Sequence, residues 1–338
     1  MKFLLPIALL VLNTFCKAQE TTVRNLVFEG AGIRGIAYAG VIEEFEKAHL
    51  LSQINKIGGT SAGAIIALIT SLGYNSQEIR NIIENTDFNK FNEGKFLFIG
   101  GLHRIKKNYG WYKGNRFDKW LKKVIEEKTL HGEITFLQLH NKGYKDLYIT
   151  ASCLNKQRMI VFSHETYPDM KVKDAVRISM SIPLYFEAIF IDSTGAIISN
   201  PEKREDLDLV VDGGIIGNFP IAIFDSVAFD AFNNKIRIPN SETLGIRIDS
   251  DLQIENDKSS KELIPLQINS LPSYMEAFYI FILENLNRND LTEDDWKRTI
   301  SVSSGDIGPR LKKLSSIQKE LLVNNGRQGV IQFLQDEK

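Results

Sequence analysis

Apolar residues in the first part of the chain fall into short unbroken runs that alternate with helical spacing. Asn25-Leu26-Val27-Phe28 and Ile54-Asn55-Lys56-Ile57-Gly58 predict two short buried strands. After the first, apolar positions recur at helical spacing from about Ile36 to Ala48; after the second, Ile65, Ile66, Leu68 and Ile69 mark a helix from Ala62 to Leu72. Strand, helix, strand and helix over residues 25 to 73 predict the start of a parallel sheet.

Farther along, helices are predicted at Gln77–Glu84, at Arg116–Glu127 with Phe117, Trp120, Leu121, Val124 and Ile125 on one face, and at Asp174–Met180, stopped by Pro183. Strands are predicted at Leu147–Ser152 and Met159–Ser163 around a turn at Asn155-Lys156, then at Leu209–Val211 and Leu244–Ile248, with a surface excursion from Asp192 to Asp208. Residues 262 to 289 hold a long amphipathic helix whose Tyr274, Phe278, Phe281 and Ile282 either meet lipid, cap an apolar pocket or close the core, the core being favoured, and Gln318–Gln335 a last helix broken at Gly326. With no repeat, low-complexity tract or linker, the pattern predicts a single α/β domain over residues 19–338. Residues 25–220 carry its motifs and residues 221–338 add C-terminal strands and helices.

Charge changes the picture at the N-terminus. Lys2, the apolar run Phe3–Leu12 and the small-x-small tripeptide Cys16-Lys17-Ala18 form an export signal, with cleavage expected after Ala18 and residues 1–18 removed. Ten apolar residues are too few to cross a bilayer. The mature protein is expected to begin at Gln19 and to lie in the periplasm or outside the cell, with peripheral membrane contact. Only Cys153 then remains, so stability has to come from the core. The balance of 41 basic and 42 acidic residues makes no electrostatic case for nucleic acid and leaves a neutral or lipid partner open.

Candidate chemistry begins at Gly59-Thr60-Ser61-Ala62-Gly63, a serine among small residues where a strand becomes a helix. That is the pattern of a nucleophile elbow, whose helix N-terminus stabilises negative charge beside the serine oxygen. The loop Glu29-Gly30-Ala31-Gly32-Ile33-Arg34-Gly35 also satisfies a dinucleotide-binding fingerprint, but the second strand ends in Gly58-Gly59-Thr60-Ser61, not in the acidic residue that would hold a ribose. Its amides suit an oxyanion instead. Arg34 either orients this loop, holds an anionic head group or is a surface charge.

A serine nucleophile needs a base. His49, His103, His131, His140 and His164 each read as surface residues. Asp212 follows an apolar strand and precedes Gly213-Gly214, so it reads either as a base in a cramped site or as an ordinary turn. No spacing of histidine, cysteine or carboxylate suggests a metal, and no cofactor is expected. Phe96-Leu97-Phe98-Ile99 either touches lipid, caps an acyl pocket or closes the core.

Together these stretches resemble the patatin-like phospholipase family. The glycine loop is similar to its D-G-G-G-x-R-G, the elbow to its G-T-S-x-G, and Asp212-Gly213-Gly214 to its D-G-[GA]. Ala175 to Phe186, with Ser179, Ser181 and Pro183, resembles its A-S-x-A-x-P-x-x-F segment, and Gly110-Trp111-Tyr112-Lys113-Gly114 a G-L-Y-x-G element. The resemblance covers about residues 25 to 220. It implies a three-layer α/β/α fold with a mostly parallel sheet, and lipid acyl hydrolysis without calcium by a Ser61–Asp212 dyad. It also implies an oxyanion and anion site at Gly30, Ala31, Gly32, Arg34 and Gly35. Glu29 stands in place of an aspartate, which changes a supporting contact, and Ala31 in place of a glycine, which keeps the N–H. A second expectation stays open: a lipid- or membrane-binding protein of this fold with little turnover.

Overall fold

The computed structural model describes residues 22–91, 104–199, 201, 203, 205–260, 262–288, 291–309 and 313–336. The expected export signal and the Phe96–Ile99 segment lie outside the described residues.

Among the described residues, eight strands form the central sheet: β1 (Asn25–Phe28), β2 (Lys56–Gly59), β3 (Asp146–Cys153), β4 (Arg158–Phe162), β5 (Ile189–Ile191), β6 (Asp208–Asp212), β7 (Thr243–Asp249) and β8 (Thr299–Ser303). Their order is β8-β7-β1-β2-β3-β6-β5, with β4 also paired to β3. From β8 to β3 the pairing is parallel; β4 and β6 run antiparallel to β3, and β5 antiparallel to β6. The fold is α/β with a mostly parallel sheet. Every residue of β1 and β7 is buried, as expected of parallel strands covered on both faces.

Two consequences of this topology position the site. First, the parallel strands put their C-terminal ends on one edge, so Glu29, Thr60, Ser250 and Ser304 follow β1, β2, β7 and β8 there. Ligands of open α/β sheets collect at that edge. Second, β4 occupies one side of β3, which leaves the other side to be shared. Ile149 pairs with Gly59, the last residue of β2, and Ala151 pairs with Asp212, the last residue of β6. Strands β2 and β6 therefore run toward each other along β3, with only Thr150 between their terminal partners.

The helix Tyr38–Lys47, entered through a 3-10 turn over Gly32–Ala37, packs against the last helix, Ser316–Asp336. That last helix runs unbroken through Gly326, where the sequence pattern predicts a break. A Cβ on Gly326 would lie 2.0 Å from the carbonyl oxygen of Ala37, and one on Gly40 would lie 1.8 Å from that of Val323. Glycine serves close helix approach here rather than chain reversal.

The other departure concerns the helix Leu271–Arg288. Its Tyr274, Phe278 and Phe281 are 53%, 53% and 63% exposed and line a surface cavity, so they are not core residues. Periodicity identifies an apolar stripe without saying what the stripe meets.

Candidate active site

The elbow is built by close packing. Between β2 and the helix Ala62–Ser71 the chain turns on Ser61 at φ 53° and ψ −120°, a left-handed conformation that costs a non-glycine residue about 1–3 kcal/mol. The glycines around it leave no room for side chains. A Cβ on Gly59 would stand 2.2 Å from the carbonyl oxygen of Gly63, and one on Gly63 would stand 2.4 Å from that of Phe28. Thr60 ties the turn to the sheet: its Oγ1 lies 2.6 Å from Thr150 Oγ1 and donates to the carbonyl of Gly217 at 2.9 Å.

Ser61 Oγ donates to Asp212 Oδ2 at 3.0 Å and lies 3.5 Å from Met180 Sδ. Both the serine and the aspartate are buried. Burial is the main influence on Asp212 and pushes its carboxyl up to about 7, against the lowering effect of hydrogen bonds from the Gly214 N–H (2.7 Å, to Oδ1) and Ser61. The segment 175–186 sits behind the pair. Ser179 Oγ accepts from the Ser61 N–H at 2.9 Å, and the carbonyl of Ser181 accepts from the Asp212 N–H at 2.9 Å. Strand Gly110–Tyr112 pairs with Leu184–Phe186, and Arg177 donates to the carbonyls of Lys113 and Gly114, so the two outlying motifs support one another.

The glycine loop stands beside the elbow, where a Cβ on Gly30 would be 3.3 Å from Ser61 Cβ and one on Gly35 would be 3.0 Å from Ala62 Cβ. The Gly30 N–H is committed to the carbonyl of Asn218 at 2.9 Å, and the Arg34 N–H to that of Ala31 at 3.2 Å. Arg34 is not a surface charge: it is 8% exposed, and its Nε donates to the Ala31 carbonyl at 3.3 Å. Glu29 supports the loop from below. Its Oε2 accepts from the Ile248 N–H at 3.1 Å, its Oε1 lies 3.2 Å from Arg247, and its carbonyl accepts from Tyr38 Oη at 2.6 Å.

Asn218 is the residue that sequence reasoning missed. It is buried, its Nδ2 donates to the Gly30 carbonyl at 3.0 Å and to Glu29 Oε1 at 3.4 Å, and its Oδ1 fills the space where a Gly30 Cβ would be. It thus clasps the loop after β1 to the turn after β6. The available signal was an asparagine six residues beyond Asp212 and two before Pro220. Asn218→Ala removes the donor to two buried acceptors and is expected to lower stability by about 1–3 kcal/mol. Urea denaturation beside wild type checks this, and an unchanged midpoint would show the clasp to be dispensable.

Of the described histidines, His49, His131 and His140 are exposed, His164 is partly so, and none bonds Ser61; His103 lies outside the described residues. The sequence suggests no metal site, yet His140, Asp146 and His164 come together, with His140 Nδ1 2.6 Å from Asp146 Oδ1. The two imidazoles stack 4.0 Å apart at 8°. Nearly parallel rings leave no point in both ring planes from which one ion could bind both. The group also sits at the start of β3, the opposite edge of the sheet from Ser61.

Known proteins resemble this chain over much of its length. The family model described as patatin-like phospholipase matches residues 26–225. The uncharacterized protein YqhO of Bacillus subtilis (strain 168) is 35% identical over 208 residues, which cover 59% of this chain and 65% of YqhO. Protein 463L of Invertebrate iridescent virus 6, named "Probable lipid hydrolase", is 28% identical over 204 residues, covering 59% of this chain and 62% of 463L. The match is thus less than two thirds of either relative's length. The crystal structure of VipD from Legionella pneumophila shares the fold, with a TM-score of 0.58 at 14% identity over 93% of this chain and 67% of VipD. With more than half of its length matched, from β1 to the segment just beyond Asp212 and Asn218, the chain belongs to the patatin-like phospholipase family.

Proposed function

We propose that the protein is a lipid acyl hydrolase that cleaves carboxylic esters through Ser61 as nucleophile and Asp212 as its base. The observation that carries the reading is the 3.0 Å hydrogen bond from Ser61 Oγ to a buried carboxylate at the meeting of two strand ends. Asp212 takes the hydroxyl proton as Ser61 Oγ attacks the acyl carbonyl, and the collapsing intermediate expels the alcohol with that proton. Water then attacks the acyl-serine and gives a proton to Asp212, which passes it to Ser61 Oγ as the fatty acid is released. With the Gly30 N–H engaged by Asn218, the amides of Ala31 and Gly32 and the start of helix Ala62–Ser71 are the donors for the oxyanion. The lipid class favoured here is phospholipid, and residues 1–18 are proposed to direct export.

A fluorophosphonate probe is expected to label wild type and leave Ser61→Ala unlabelled. Mass spectrometry of products from a mixed panel of phospholipid, lysolipid and glyceride then identifies the ester cut. Absent labelling together with retained vesicle binding would favour the reading of a lipid-binding protein without turnover.

The base must be ionised to act. Because burial pushes Asp212 up to about 7, kcat/KM is expected to rise about tenfold per pH unit below that value and level off above it. A profile that stays flat from pH 5 to pH 8 would remove Asp212 from the base role.

A further inference from the structure

A cavity of about 700 Å³ opens on the sheet edge that carries Ser61. Its floor is the C-terminal ends of β7 and β8, and its lining includes Arg34, Leu263, Ile264, Phe278, Phe281 and Ile307. Strand β7 is two places from β2, so this floor begins about 10 Å from the elbow. The wall is joined to the glycine loop: the Pro309 carbonyl accepts from the Ile33 N–H at 3.2 Å, and a Cβ on Gly32 would lie 2.0 Å from the same oxygen. Helix Leu271–Arg288, which carries the exposed rings, also packs on the short helix Gly214–Gly217 that follows Asp212. The glycine loop and helix Leu271–Arg288 therefore link the walls of the cavity to the elements that carry the dyad.

Beside the elbow, the apolar slot between Ala62, Ile65, Phe88 and Met180 is much smaller, at about 40 Å³. It offers far less room than the cavity above β7 and β8. The larger cavity falls within the usual size of small-molecule sites and is largely apolar.

We propose that this cavity receives the acyl chain of the lipid substrate, which runs from Ser61 along the glycine loop and past Arg34. The assignment rests on the hydrolase reading of Ser61 and Asp212. Apart from Arg34, the lining lies beyond residue 225, where the family match ends, so chain-length preference belongs to the C-terminal part of this chain. A butyryl group, four carbons joined by ~1.5 Å bonds, stops short of the cavity, whereas a decanoyl group enters it. Each methylene buried there is worth about fourfold in binding.

Two variants test the proposal: Phe278→Asp/Phe281→Asp, at exposed positions, and Ala277→Trp, which fills the cavity. In both, the ratio of kcat/KM for p-nitrophenyl decanoate to that for the butyrate is expected to fall at least tenfold. Affinity for cis-parinaric acid, measured by fluorescence in a Ser61→Ala background, is expected to fall by a similar factor. Unchanged ratio and unchanged parinarate affinity overturn the proposal. So does loss of binding to phosphatidylcholine–phosphatidylglycerol vesicles with parinarate affinity intact, which would make the rings a membrane contact. Where the two arms disagree, the parinarate arm decides. If wild type cleaves neither ester, the hydrolase reading falls, and parinarate affinity alone sustains or overturns the cavity's assignment.

Discussion

Asp212→Asn is expected to lose turnover and gain stability in the same molecule. On a soluble nitrophenyl ester kcat/KM should fall by about 10³ or more, since the amide keeps the shape of the side chain and removes its basicity. The stability gain follows from proton linkage. Burial raises this carboxyl from its ordinary 3.8 to about 7, so the folded protein holds the proton more tightly than the unfolded chain does. Below about pH 4 both states are protonated and the group costs nothing. As pH rises from 4 to 7 the unfolded chain ionises first, and folding loses stability. Above 7 the penalty is complete, at roughly 4 kcal/mol. Asparagine carries none of it. Calorimetry should therefore find Asp212→Asn melting several degrees above wild type at pH 8, with the difference vanishing near pH 4. A difference that stayed constant with pH, or reversed, would mean that Asp212 is not ionised against its environment.

Gly63→Ala should cost the fold itself. In an exposed helix this substitution stabilises by up to about 1 kcal/mol. Here the new methyl would lie 2.4 Å from the carbonyl oxygen of Phe28 and 2.6 Å from that of Glu29. Both are main-chain atoms, so no rotamer relieves the clash. Strand β1 cannot withdraw, because it is paired to β7 on one side and β2 on the other. The remaining route is to part helix Ala62–Ser71 from the sheet, which exposes Ile65, Ile66, Leu68 and Ile69. A loss above about 4 kcal/mol is expected, of the size reserved for overpacked cores. Soluble yield and urea midpoint measure it, and a protein that melts like wild type would show slack at the elbow that these distances deny.

Much of the site was legible because its chemistry needs particular residues in tight turns. A serine between glycines and an aspartate before two glycines are short local patterns, and the strands before them announce themselves by apolar runs. The meeting of β2 with β6 was not legible. It depends on β3 offering one edge to two strands, a pairing between residues far apart that leaves no local periodicity. Asn218 escaped for a related reason: an asparagine in a loop reads as a turn former, and only tertiary packing turns it into a clasp on Gly30. At Gly326 the pattern misleads, because a helical glycine marks a chain break and a close crossing equally well. For the stripe of Tyr274, Phe278 and Phe281, helical spacing records which residues share a face and says nothing about whether protein, solvent or ligand lies opposite.

The head-to-head junction on β3 also sets when the site comes into being. Ser61 and its elbow belong to the early part of the chain, while Asp212 arrives 151 residues later on a strand that docks across a long loop. Contacts of such separation form late, after loop-closure entropy has been overcome. A chain folded only through β3 carries a serine with no base beside it. On the hydrolase reading proposed above, activity therefore reports completion of the sheet.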